Sequence, residues 1–184
     1  MNTALIVIDM QNGFLHPSGE NTYPAAADII GNVQALIAQA DATGAVIVHV
    51  ADRHREGFED FEQIHLPVHS LSGSFNAAYY DGFGPRGRKR EVEIVKRRYS
   101  AFFGTDLTLF LREQAVRRLI LCGVKTNVCI RATAQDGFAN GFEVHVVRDA
   151  VNTNRPHLGE AALEDIARYL GHVIGQSDAL EMLR

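Results

Sequence analysis

The sequence predicts an α/β fold: a single doubly wound domain over residues 1–184, its six-stranded parallel sheet ordered 3-2-1-4-5-6 with helices on both faces. Three observations carry that expectation. Short runs rich in Val, Ile and Leu recur along the chain, and segments of helical period separate most of them. No repeat, linker or low-complexity stretch divides the 184 residues. Strand–helix alternation implies parallel pairing with both sheet faces covered, and right-handed crossovers favour the open, doubly wound arrangement.

The strands are read, in order, at "ALIVID" (4–9), "AVIVHVA" (45–51), "VEIVK" (92–96), "RLILCG" (118–123), "EVHVVRDA" (143–150) and "HVIG" (172–175). The first helix spans 24–44, where Ile29, Ile30, Val33, Leu36, Ile37 and Ala40 form a stripe between Pro24 and Gly44. The second spans 105–116, with Thr105 as N-cap. The third spans 126–141, opened by Thr126 and ended by Gly141, and the fourth spans 158–171. The irregular stretch 52–91 is too long for a simple connection; such loops usually carry function or form a lid.

Charge and composition exclude several classes. A net charge of −4 and a pI near 6.0 point to no nucleic-acid or membrane surface. No apolar stretch approaches the roughly 20 residues a membrane helix needs. "MNTALIVIDMQNGF" lacks a basic leader and a small-residue cleavage site, so a cytoplasmic location with reduced thiols is expected. No Gly-rich fingerprint follows the first strand, which argues against a dinucleotide cofactor, and "GRKR" (87–90) lacks the phosphate-loop pattern.

In such sheets ligands bind beyond the carboxyl ends of the strands. Asp9, Asp52, Lys96, Gly123 and Asp149 stand at those ends, and the helix bearing Cys129 begins at the same edge. With Thr126 as cap, Cys129 is the third helical residue, where free N–H groups favour a thiolate and can donate to an oxyanion. A nearby lysine would depress the thiol pKa further. A buried apolar thiol is the competing reading. Asp9 reads either as a turn former or as a general base, and Lys96 as a solvated strand end or as the cation that holds Asp9 and Cys129 ionised. Together the three form an acid–base–nucleophile set.

"ALIVIDMQNGFLHPSG" (4–19), "VKRRYSAFFGTDL" (95–107) and "CGVKTNVCIRATAQDGFANGFEVHVVRDA" (122–150) resemble, in order and in register, the isochorismatase-like cysteine hydrolases. That family includes nicotinamidases, N-carbamoylsarcosine amidase, ureidoacrylate amidohydrolase and biuret hydrolase. The resemblance implies a catalytic triad of Asp9, Lys96 and Cys129. It also implies a thioester acyl-enzyme, and a cis bond between Val124 and Lys125 that aims the Lys125 N–H at the oxyanion beside that of Cys129. A thiol at 129 favours attack on an amide or ureide over vinyl-ether cleavage. Phe14 is expected to line the pocket. Gln11, Tyr99 and Phe102 are further substrate-binding candidates, each with turn formation or core packing as the alternative.

The resemblance leaves two readings of Asp52, His54 and His69. They form a Zn, Fe or Mn site of nicotinamidase type, or they are loop residues that keep the pattern while the chemistry needs no cofactor. The chain has no Trp, and "TNVC" is closer to the ureido-amidase branch than the nicotinamidase "TDYC". The leading reading is cleavage of a small amide or ureide with release of ammonia or an amine. Alternatives are a metal-assisted nicotinamidase or pyrazinamidase, and a non-catalytic small-molecule-binding domain of the same fold. The family also implies a homodimer or homotetramer. Lys125 is unusual; if it faces the pocket, an anionic substrate such as a ureido acid is favoured.

Overall fold

The computed structural model describes residues 2–184. Its sheet is six-stranded and parallel throughout, ordered β3-β2-β1-β4-β5-β6, as expected. The strands are β1 (Thr3–Ile8), β2 (Val46–Asp52), β3 (Glu91–Lys96), β4 (Arg118–Val124), β5 (Glu143–Asn152) and β6 (His172–Ile174). β1 and β2 are buried along their whole length, which explains why they read as continuous apolar runs. Alternate residues serve opposite faces. Ile6 and Ile8 join one core cluster, packed with Leu111, Ile130, Ala134 and Leu163. Leu5 and Val7 join the other, packed with Val33, Leu36, Ile37 and Ala40.

The helices are α1 (Asn12–Leu15), α2 (Ile30–Thr43), α3 (Leu107–Glu113), α4 (Arg131–Ala139), α5 (Pro156–Asp165) and α6 (Gln176–Met182). Several limits differ from the sequence expectation. A 3₁₀ turn, Ala26–Ile29, precedes α2, so the α-helix starts after the short-side-chain run "PAAAD" rather than at Pro24. Gly44 ends α2 in the left-handed conformation, as its lack of a Cβ allows. Thr105 accepts a hydrogen bond from the N–H of Leu107, but the capping position is Asp106. A π-helical turn, Thr126–Ile130, leads into α4, and its capping position is Lys125 rather than Thr126. Cys129 is therefore the fourth residue of the helical segment, not the third. α1 and α6 are too short to have shown a period. Asp149 is exposed, and its carboxylate accepts the N–H of Gln176 at 2.8 Å; β5 runs on to Asn152, so Asp149 caps α6 and is not at the site.

The chain leaves β1 toward β2 on one side and later returns to lay β4 on the other, so the switch point lies between β1 and β4. There Gly123 has φ +113°, and an added Cβ would collide with the carbonyl oxygen of Ile8. Gly123→Ala should therefore destabilise the fold by about 2 kcal/mol or more, from backbone conformation and collision together. The midpoint of urea unfolding reads this directly, and an unchanged midpoint would refute the account.

Candidate active site

Four chain ends meet at the carboxyl edge of the sheet. Asp9 follows β1 with φ +55°, a left-handed conformation that Asp tolerates better than most residues. Its N–H donates to the carbonyl of Val50 at 3.0 Å and its carbonyl accepts from Gln11 at 2.8 Å. Asp52 ends β2, Lys96 ends β3, and Cys129 lies in the π turn after β4. The Lys96 Nζ lies 3.0 Å from Asp9 Oδ2, 3.4 Å from Cys129 Sγ and 3.6 Å from Asp52 Oδ1. Lys96 is 1% exposed, a burial that an ammonium tolerates only when carboxylates surround it.

The charges follow from burial and these neighbours. Burial pushes Asp9 up to about 6; the Lys96 ammonium opposes that rise and the Asp52 carboxylate adds to it. Burial likewise acts against the Lys96 ammonium, but Asp9, Cys129 and Asp52 outweigh it and hold its pKa above the usual value. Asp52, which burial alone would raise, is kept ionised by Lys96 and by the His54 and His69 rings. The Cys129 thiol moves the other way from the sequence expectation. Burial, then the Asp9 carboxylate, raise it well above the ordinary thiol value despite Lys96. One ammonium between two carboxylates cannot also stabilise a third negative charge, so the resting sulfur is a thiol beside the Asp9 carboxylate.

Asp52, His54 and His69 are also brought together: one donor atom from each lies within 4.8 Å of the others. The His54 Nδ1 is 2.7 Å from Asp60 Oδ2, and the His69 Nδ1 is 2.9 Å from the Pro67 carbonyl. Those contacts turn both Nε2 atoms toward Asp52, at 3.4 Å each. The His54 Nε2 is buried with no hydrogen-bond partner. The sequence reading missed Glu62. Its Oε2 lies 3.5 Å from His54 Nε2 and 3.7 Å from His69 Nε2, while its Oε1 is buried without a partner. Glu62 sits on a 3₁₀ turn, Phe61–Ile64, capped by Asp60, which also pairs with Arg98 at 2.9 Å. The signal available was the acid pair in "EDFEQIH", two residues apart and within reach of "DRH". Two imidazoles and two carboxylates, with His54 Nε2 and Glu62 Oε1 unmet, fit a divalent transition metal.

A small cavity of about 130 Å³ opens onto this floor. Phe14 and Tyr99 line it, as do Lys125, Val128, Leu66 and Pro67. Two candidates are elsewhere. The Gln11 amide is spent on the backbone: its Nε2 donates to the carbonyls of Asp52 (2.9 Å) and Ala77 (2.8 Å), and its Oε1 accepts from the Asp52 N–H (2.8 Å). Phe102 is buried in the core, stacked on Phe142 with centroids 5.8 Å apart. Its apolar ring fills the space over Gly137 and does not reach the cavity lining. The Val124–Lys125 bond is cis.

Comparison with known proteins gives a consistent picture. The isochorismatase domain model matches residues 3–178. The maleamate amidohydrolase of Pseudomonas putida (strain KT2440) is 31% identical over 98% of this chain and 86% of its own length. Among solved structures, the pyrazinamidase of Pyrococcus horikoshii, in complex with zinc, superposes with a TM-score of 0.86 at 34% identity, covering 95% of this chain and 99% of that one. The N-carbamoylsarcosine amidase of Thermoplasma acidophilum gives 0.85 at 28% identity, covering 97% and 98%. The chain belongs to the isochorismatase family, on its amidohydrolase branch of hydrolases acting on C–N bonds outside peptides.

Proposed function

We propose that the protein hydrolyses the C–N bond of a small amide or ureide through a thioester on Cys129. The observation that carries this reading is the Lys96 ammonium seated between a buried carboxylate, Asp9, and a buried sulfur, Cys129, at the floor of the cavity. In the first half-reaction Sγ bonds to the substrate carbonyl carbon as its proton passes to Asp9. The carbonyl oxygen, now an oxyanion, accepts hydrogen bonds from the N–H groups of Lys125 and Cys129. Collapse breaks the C–N bond, and Asp9 returns the proton to the leaving nitrogen, which departs as ammonia or an amine. In the second half-reaction Asp9 takes a proton from water, whose oxygen bonds to the thioester carbon. The acid product leaves and the thiol regains its proton. Lys96 remains charged throughout, fixing Asp9 and balancing the charge that passes through it.

Asp52, His54, His69 and Glu62 would hold a divalent metal at the cavity wall. Such an ion supplies a Lewis-acid site for an electron-rich group of the substrate. This donor set favours a second reading, metal-assisted hydrolysis of nicotinamide or pyrazinamide, supported by the zinc complex of the Pyrococcus pyrazinamidase. An ammonia-release screen over nicotinamide, maleamate and N-carbamoyl amino acids separates the two.

Cys129→Ala should lower turnover at least about 10³-fold while leaving the unfolding free energy within about 1 kcal/mol of the parent. Intact-mass analysis should show a substrate-derived acyl adduct on the parent chain and none on the variant; substantial turnover by the variant would sink the mechanism. Asp9 must be ionised to act as base, and burial lifts its pKa to about 6. Activity in kcat/KM should therefore be full above that value and fall about tenfold per pH unit below it. A flat profile from pH 7 to 4.5 contradicts the role given to Asp9. Equilibration with Zn²⁺ or Mn²⁺ followed by desalting should leave about one ion per chain by elemental analysis, and His54→Ala with His69→Ala should remove it. Equal retention by the double variant would place the ion elsewhere.

A further inference from the structure

Lys125 has a side chain that the proposed mechanism does not use. Its ammonium stands 5.9 Å from the Phe14 ring centroid and 5.5 Å from that of Tyr23. Both rings are buried, and the Tyr23 hydroxyl donates to Asn152 Oδ1 at 2.5 Å, which fixes the platform under the cation. The side chain is half-buried and lines the same cavity as Cys129 and Val128. Three other cations near the site have anionic partners. Lys96 has Asp9 and Asp52, Arg98 has Asp60, and Arg53 has Glu93 at 2.9 Å. Among the described residues no carboxylate lies within ion-pairing distance of Lys125; the cavity acids Asp52 and Glu62 face Lys96 and the two histidines instead. A half-buried ammonium that touches only ring faces on the protein side has its donors free for an anion brought by the substrate.

We propose that Lys125 is a specificity-determining residue that receives a substrate carboxylate, so that the substrate is a short amide or ureide carrying an acid group: an amido acid or an N-carbamoyl amino acid. The proposal rests on the amidohydrolase reading above and narrows it. The scissile carbonyl sits at Cys129 and the acid group against Lys125. The apolar lining of Phe14 and Val128, with the Tyr23 ring behind the ammonium, lowers the local dielectric around that pair and strengthens it. The relation to maleamate amidohydrolase is consistent with this, since maleamate is an amide that bears a carboxylate.

The test measures binding apart from turnover. Cys129→Ala, checked for folding by circular dichroism, is titrated calorimetrically with succinamate and with its uncharged analogue succinamide. Succinamate should bind about 10- to 100-fold more tightly, the span expected of a hydrogen-bonded charged group in a pocket. Adding Lys125→Met should abolish the difference, and Lys125→Arg should restore most of it, with and without EDTA. Equal affinities, no binding of either ligand, or a preference that survives Lys125→Met all overturn the proposal. A preference that survives Lys125→Met but vanishes in EDTA assigns the carboxylate to a metal at Asp52, His54 and His69. Failure of the broader reading looks different: the parent chain then acquires no acyl adduct on Cys129 with any member of the amide panel. Loss of the carboxylate preference alongside a normal adduct removes only the role of Lys125.

Discussion

The structure of the site depends on one buried ammonium. Removing Lys96 from water costs several kcal/mol, and the cost is met only because Asp9 and Asp52 stand beside it as carboxylates. Each acid is in turn held by that charge. Asp52 stays ionised because Lys96 and two imidazoles face it, while Asp9, with fewer partners and complete burial, is left with its pKa near 6. Two aspartates a few ångströms from the same cation thus differ in how readily they take a proton. Asp9 is lifted to about 6, whereas Asp52 stays anionic beside Lys96, His54 and His69. The same balance keeps the Cys129 sulfur neutral.

Topology supplies the positions. Parallel strands deliver their carboxyl ends to one edge, so residues far apart in sequence (Asp9, Asp52, Lys96 and the turn holding Cys129) converge without any dedicated scaffold. The switch point between β1 and β4 is where two backbones must approach, and Gly123 permits it against the Ile8 carbonyl. The covered faces of the sheet make that edge rigid, because each of β1, β2 and β4 is buried almost throughout.

Strand order and the meeting of Asp9, Lys96 and Cys129 were legible in the sequence because they follow from local pattern plus handedness. Three things were not. The protonation of Cys129 depends on a count of neighbouring charges in three dimensions; helix position alone suggested a thiolate. Gln11 and Phe102 looked available for substrate because sequence shows proximity to a motif but not the direction of a side chain. Gln11 turns into the backbone between Asp52 and Ala77, and Phe102 into the core against Phe142. Glu62 was hidden in the loop 53–90, whose path is set by contacts such as His54 with Asp60 and Arg98 with Asp60 rather than by any period. The same loop brings His69 beside His54, fifteen positions away.

The Gln11 clamp has a consequence for how the cavity wall is held. One amide side chain ties the segment after β1 to the end of β2 and, through Ala77, to the far part of the long loop. The stretch between those two anchor points contains Glu62, Leu66 and His69, which line the cavity, and His54 behind them. The two ends of this stretch are thereby held in place relative to Asp9, Lys96 and Cys129, whatever side chains it carries between them. The clamp fixes the loop's path mechanically, while His54 and His69 still reach the floor of the site through the charge of Asp52.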